Sequence, residues 1–416
     1  MDACDIQFGH LLSTSADIAE RILRYMSGRQ LNACARVCSL WNSKAKQLKR
    51  RRTKFSHCFE VQKRKRKAAS DSCGQPSNDI SEDSTDRFLR QLGGAWSEPG
   101  HALVFATGKA GLLLNLGRPQ KAGIDDHLEV TNAVNSRLPG TCHLILGHAG
   151  GVVGTPRASP SGTHGTPTEL ERGQGLSGLL LPSVLPDGVR IRPFTVMEAL
   201  IRKQSRGDDW YATDEFKSLA GLPVGDETLG VKCVLWFISG ELDNGENDLA
   251  AEVVDDFVAS CGPLRFALGG AVLDSLVAAP ADRVVCAGLC FSGDGVRAAS
   301  VVLLPEVRGA KAVETELRRL KTDSGFGSWE VGGTVGFMFA CVARGAKHHG
   351  KANVEADVFA KVFPGVPLVG LFGNGEIGSE YLPLCSGGRQ PLARGVNDSC
   401  MYGYTTVVVL LGLGGK

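Results

Sequence analysis

The 416-residue chain has no pair of cysteines spaced Cys-x-x-Cys, few aromatic residues (6%), and no apolar run near the roughly 18 residues of a membrane span. The aliphatic run Val407 to Leu413, a candidate for such a span, is better read as a buried strand. The start, Met1 to Asp5, lacks the basic and then apolar pattern of a signal peptide. Thirteen dispersed cysteines are therefore expected as free thiols in a reducing compartment, and a soluble protein without a membrane segment is expected. Also missing are the phosphate loop Gly-x-x-x-x-Gly-Lys-Ser/Thr, the zinc motif His-Glu-x-x-His and the nucleophile elbow Gly-x-Ser-x-Gly. The adjacent pair His348 and His349 has no Cys or acidic neighbours at recurring metal-ligand spacing, so both are read as surface histidines. No metal and no cofactor are expected.

What is present is length, glycine and an uneven charge. The chain is long enough for two or three folded units, and 53 glycines point to many tight turns between short elements. The formal charge of +2 conceals an asymmetry: Lys44 to Lys67 holds twelve Lys or Arg against one acid, Glu60, while the remainder holds 34 basic and 43 acidic residues. The body is thus mildly acidic, which argues against bulk nucleic-acid binding. Lys49 to Arg52 and Lys63 to Lys67 read as a nuclear-import signal or as a solvated helix end and charged linker, with a nucleic-acid arm behind both because only Phe55 and Phe59 supply aromatic interleaving.

Residues 14 to 54 read as a compact helical unit, with Ile18, Ile22, Leu23 and Met26 on one stripe. After a break at Gly28 come Leu31, Cys34, Val37, Cys38 and Trp41 on a second. Ser15 is a plausible N-cap. Residues 55 to 86 form a basic segment and flexible linker, polar and Ser-rich from Arg66 onward. Beyond it a strand, helix, strand pattern ending in glycine occurs three times. The copies are Ala102 to Gly108 with Leu144 to Gly151, Lys232 to Gly240 with Arg265 to Gly270, and Thr334 to Val342 with Pro367 to Gly373. Such crossovers imply parallel pairs. Val284 to Phe291 and Val296 to Leu304 flank Ser292 to Gly295, a hairpin signal, and Arg157 to Gly175 reads as a mobile loop. The expectation is an α+β fold: the small N-terminal helical unit, then two related α/β lobes over 87 to 230 and 231 to 416, with mixed sheets covered by helices.

Two places invite chemistry. Gly373-Asn374-Gly375-Glu376-Ile377-Gly378 has the spacing of a dinucleotide fingerprint, but Pro383, Gly387, Gly388, Pro391 and Gly395 leave no crossover helix behind it, which favours a tight turn after a buried strand. Cys341 ends a strand that is apolar on both faces, and Arg344 follows it. A parallel strand's C-terminal end admits ligands and a nearby arginine activates a thiol, yet free cysteine is more often simply buried.

Two stretches resemble known families. Ala16 to Met26, Leu31 and Ala35 to Trp41, ending Val37-Cys38-x-x-Trp41, resemble an F-box, without the usual Leu-Pro start. Gly336 to Gly345, Asn353 to Phe359, Phe363 to Gly370 and Phe372 to Gly378 resemble a FIST C-terminal domain, a family associated with ligand sensing. The order F-box then FIST pair implies the substrate receptor of an SCF-type ubiquitin ligase. That receptor joins the adaptor Skp1 and through it a cullin scaffold, binds protein substrates with its FIST lobes, and works in cytoplasm and nucleus. The resemblance places Skp1 on the stripe Ile18, Ile22, Leu23, Leu31, Val37 and Trp41, with Trp41 as anchor. Cys341, Arg344, Gly373, Asn374, Gly375 and Glu376 are the expected substrate or ligand surface.

Two rivals stay open. The FIST lobes could sense an amino-acid-like small molecule through glycine-rich strand ends at Gly269, Gly270 and Gly373 to Gly375, where backbone amides are approachable. An enzyme with Cys341 as nucleophile and Glu376 as acid or base is the third reading.

Overall fold

The computed structural model describes residues 11–61, 84–107, 125–157, 165–201, 210–242, 244–262, 266–278, 283–384 and 399–414. The basic run Lys63 to Lys67 lies outside the described residues. Three short helices, Ala16–Leu23, Gly28–Cys34 and Ser39–Arg50, form the N-terminal unit and lead into an α/β body. Among the described residues no helix is long and apolar enough to cross a membrane.

The body is built from three copies of one plan. The first contains β1 (Ser56–Val61), β2 (Pro99–Thr107), β3 (His143–Ala149), β4 (Gly151–Gly154), β5 (Thr168–Leu170) and β6 (Gly175–Pro182). The second contains β7 (Arg190–Met197), β8 (Val231–Ser239), β9 (Ala267–Leu273), β10 (Ser275–Ala278) and β11 (Val284–Ser292). The third contains β12 (Val296–Leu303), β13 (Thr334–Cys341), β14 (Leu368–Gly373), β15 (Glu376–Gly378), β16 (Met401–Tyr402) and β17 (Thr406–Leu413). The expected crossovers are present: β2 with β3, β8 with β9 and β13 with β14 pair in parallel. Helices Asp125–Asn135, Asn244–Ser260 and Val354–Val362 make the connections. On the other flank β6, β11 and β17 return antiparallel to β2, β8 and β13.

Each copy also gives strands away: the first β4 and β5, the second β10, the third β15 and β16. β4 pairs with β14 of the third copy, β15 with β9 of the second, and β10 with β3 of the first. At each crossing the residue after the parallel strand donates its N–H to the neighbouring sheet: Gly150 to Phe372 O at 3.1 Å, Asp274 to His148 O at 2.8 Å, and Asn374 to Val272 O at 2.9 Å. The result is one five-stranded and two six-stranded sheets closed in a ring. Their inner faces share a core in which Phe105, Phe237 and Phe339, equivalent residues of the three copies, meet with ring centroids 5.3, 5.6 and 6.4 Å apart. Each outer face carries its own apolar layer of helices, for instance Phe88 and Leu92, Val254 and Phe257, or Leu317 and Phe359.

The boundaries read from the sequence shift accordingly. Ser56–Val61, assigned to the linker, is the edge strand β1 on β6. β7 precedes residue 231 but belongs to the sheet of β8, so the two lobes are interlocked across that boundary. The turn at Ser292 to Gly295 does not close a hairpin: β11 pairs with β7 and β8, whereas β12 pairs with β17. Within the expected loop Arg157 to Gly175, Thr168–Leu170 is a strand on β4.

Candidate functional site

The N-terminal unit holds together through Leu23, Leu31, Ala45 and Leu48, with Met26, Cys34, Ala35 and Trp41 packed against them. A capping box starts its second helix, Ser27 N–H donating to Gln30 Oε1 at 2.8 Å and Gln30 N–H to Ser27 Oγ at 3.3 Å. Ser15 stands at the N-cap of the first helix, but its side chain makes no capping bond. Lys44 ties the third helix to Glu20 of the first at 2.8 Å, and that bond holds the Glu20 carboxyl below its usual range.

The stripe expected to meet a partner is divided. Leu23 and Leu31 are fully buried inside the unit and unavailable. Trp41 is half-buried, its indole N–H donating to Leu12 O at 2.8 Å, so it anchors the unit internally. Ile18 and Ile22 remain half-exposed, while Val37 is 64% exposed. Tyr25, 82% exposed, follows Ile18 by seven residues and Ile22 by three but lies in the turn just past the end of the first helix at Leu23, outside the stripe expected from the sequence.

A clamp fixes this unit to the body. Arg52, only 5% exposed, stacks on Trp96 at 3.6 Å from the ring centre. It donates to the carbonyls of Met26 (2.6 Å), Trp96 (2.9 Å), Arg24 (3.1 Å) and Leu23 (3.4 Å). These include the open C-terminal carbonyls of the first helix, which favour a cation. Beside it Glu98 accepts from Asn32 at 2.6 Å and from Lys49 at 2.8 Å. Gly28 is required here, since a Cβ would lie 2.8 Å from Glu98 N. Half of the basic run Lys49 to Arg52 is thus structural, leaving Arg50 and Arg51 exposed.

The second candidate surface sits at the C-terminal end of β13 and β14. Arg344, expected to face a ligand, is 1% exposed and pairs with Glu355 at 2.5 Å. It also donates to the carbonyls of Leu304, Val307 and Tyr404 at 3.2 to 3.4 Å. Glu355 accepts further from Thr406 Oγ1 at 2.8 Å and from His349 Nε2 at 2.9 Å. His349 Nδ1 takes the Gly309 N–H at 3.0 Å, which assigns the ring proton to Nε2. The His349 side chain is therefore sealed in a buried network, contrary to the surface reading.

Glu376 is completely buried, and its Oε2 accepts from Thr405 N–H at 3.1 Å and Thr405 Oγ1 at 2.7 Å. Burial pushes its carboxyl up to about 7, against bonds from Thr405 and from the Cys341 thiol. Cys341 and Glu376 are 8% and 0% exposed and so offer a substrate little surface, and among the described residues cavities of about 420, 490 and 120 Å³ are lined by other residues. Val152 and Leu276 hold the position of Glu376 in the other two copies, so this carboxyl is peculiar to the third. Its Thr405 bonds brace the turn through Tyr404, whose φ of 61° is unusual for a non-glycine residue.

The fingerprint-like Gly373 to Gly378 is a strand-to-strand crossing. β15 follows at Glu376, so no helix N-terminus is offered to a pyrophosphate. Gly373 is buried and Asn374 exposed, its Nδ2 donating to Asp274 Oδ1 at 2.7 Å, while Gly375 O accepts from Val272 N–H at 2.9 Å. The other glycine-rich strand is likewise taken up by packing: a Cβ on Gly270 would lie 1.7 Å from Trp236 O, and one on Gly269 2.4 Å from Val409 Cγ2.

Residues 16–53 match the F-box domain family and residues 252–379 the FIST C domain family. The chain is 27% identical over 413 residues to F-box only protein 22 of Pongo abelii and of Homo sapiens, covering 97% of this chain and 94% of each relative. A solved cyanuric acid hydrolase, 8% identical with a TM-score of 0.35, covers 86% of this chain and 99% of its own, a likeness too low to argue from. The chain thus carries a match to the F-box domain and a match to the FIST C domain, in that order, and is similar to F-box only protein 22 along almost its whole length.

Proposed function

We propose that this chain is the substrate-recognition subunit of an SCF-type ubiquitin ligase, acting in cytoplasm and nucleus. In this reading the F-box docks on Skp1, and through it on a cullin scaffold, while the FIST lobes bind protein clients for ubiquitination and proteasomal degradation. No catalytic group of its own is required. A receptor raises the effective concentration of a client lysine beside a ubiquitin thioester held elsewhere in the assembly.

The observation that carries the reading is the clamp. A bound client stays at a set distance from the scaffold only if the F-box does not swing on its linker, and Arg52, bonded to Trp96 O and stacked on its ring, together with Glu98, bonded to Asn32 and Lys49, joins the two parts through part-buried polar contacts. The docking face is the exposed remainder of the F-box, Tyr25 and Val37 with Ile18 and Ile22 beside them. Trp41 supports that face from within.

The test is co-purification of Skp1 and cullin with the tagged full-length chain from cells, alongside the double variant Tyr25→Asp, Val37→Asp. Recovery with the parent and loss with the variant is expected. Equal recovery from both, or none from either, contradicts the reading.

A further inference from the structure

At the end of the third copy opposite Cys341, the body carries an open groove of about 490 Å³. Thr155, Phe363 and Val366 are its buried lining, and Phe55, Pro156 and Val331 are among its walls. Its shape is set in advance. Thr155 Oγ1 accepts the Leu368 N–H at 2.8 Å and donates to Leu368 O at 3.3 Å, joining the Thr155 segment to the start of β14. Pro156, Pro167, Pro364 and Pro367 line it with rings of fixed φ and no N–H, so little ordering remains to be done on binding.

The rim is cationic. Arg157 is exposed, and a Cβ on Gly332 of the lining would lie 3.4 Å from Lys54 Nζ. Lys54 meets Glu330 only at 3.5 Å, with the two side chains 68% and 56% exposed, a loose pair that competes weakly for either charge. An occupant that complements this surface is apolar in the middle and acidic at the flank.

The repeat shows which kind of occupant suits this end of a copy. Phe363-Pro364-Gly365 leads into β14 as Leu138-Pro139-Gly140 leads into β3. At the first copy the F-box already covers that end: Leu138 and Pro139 line a residual crevice of about 120 Å³ together with Arg29 and Asn32 of the F-box. The equivalent end of the third copy stands open, beside Phe55, two residues beyond the F-box match.

We propose that this groove docks a short extended segment of the client protein, a bulky apolar side chain seated between the proline walls with acidic residues beside Arg157 and Lys54. The proposal rests on the receptor reading and names its client surface.

The test is selection of random peptides, displayed on phage, against the purified full-length chain bound to Skp1. Val331 is 40% exposed, so Val331→Arg fills the groove without disturbing the core, and Arg157→Glu reverses the rim charge. The expected result is enrichment of an aromatic or aliphatic residue flanked by Asp or Glu, lowered by about tenfold or more in Val331→Arg. In Arg157→Glu the flanking preference moves from acidic towards basic. Absence of a consensus, or one unchanged in both variants, overturns the groove. Because Skp1 is bound throughout, that failure is separate from failure of the receptor reading, which shows earlier as loss of Skp1.

Discussion

Replacing Arg52 with alanine should loosen the F-box internally, where Arg52 bonds the Leu23, Arg24 and Met26 carbonyls, and also free it from Trp96 of the body, while leaving the body folded. The guanidinium makes four bonds to main-chain carbonyls between 2.6 and 3.4 Å and stacks on Trp96 at 3.6 Å. Charge-assisted bonds contribute roughly 1.5–3 kcal/mol each but do not add. Burial also opposes the charge, which lowers the Arg52 pKa. A net loss of about 3 kcal/mol is expected, because the Ala variant strands helix-end carbonyls at a partly buried site. In hydrogen exchange that corresponds to opening of residues 20–35 raised on the order of 100-fold. Strand β13, buried along its whole length, should keep parental protection. Arg52→Lys, which keeps the charge and loses the fork, should fall between the two. Exchange over 20–35 changed less than twofold, or β13 opened by the same factor, would refute the clamp.

Other outcomes follow from the same geometry. Glu376 keeps its proton in the folded state up to about 7, against an ordinary value of 4.5, so the folded state binds the extra proton between those limits. Stability should therefore fall by about 2–3 kcal/mol as pH rises from 5 to 7, and Glu376→Gln should flatten that fall in thermal melts. His101 titrates in the opposite sense: burial, then its neighbour His143, pushes it down to about 4, so stability is lost as pH drops from 6.5 towards 4. His101→Gln should blunt that acid limb. At the shared core Phe237→Ala removes the ring between Phe105 and Phe339 and should cost about 3–5 kcal/mol in denaturant unfolding, a loss under 1 kcal/mol contradicting the closed-ring core.

The three parallel crossovers were legible because each is a long apolar strand, a helix and a second strand, and local periodicity speaks directly to such elements. The exchange of strands was not. β4, β10 and β15 are three or four residues long, and which sheet receives them depends on packing around Phe105, Phe237 and Phe339 rather than on their own sequence. Ser292 to Gly295 carries turn chemistry and does turn, Val296 N–H donating to Gly293 O at 3.1 Å, but turn chemistry fixes local direction and not the partner of the next strand.

The same limit explains the sites. A charged residue reads as solvent- or ligand-facing unless its partner is known, so Arg344 with Glu355 and Arg52 with the Leu23 to Met26 carbonyls looked available while being buried. The helical stripe from Ile18 to Trp41 correctly marked apolar residues, yet a three-helix unit uses its stripe first to close its own core. What remains for a partner is Val37 and Tyr25, with the half-exposed Ile18 and Ile22 beside them.

The receptor account turns on whether the F-box face binds Skp1 directly. Calorimetric titration of purified Skp1 into the purified full-length chain should give saturable one-to-one binding, weakened by about tenfold or more by Val37→Asp with an unchanged melting temperature. No heat of binding with the parent chain, or an identical isotherm for the Asp variant, would contradict it.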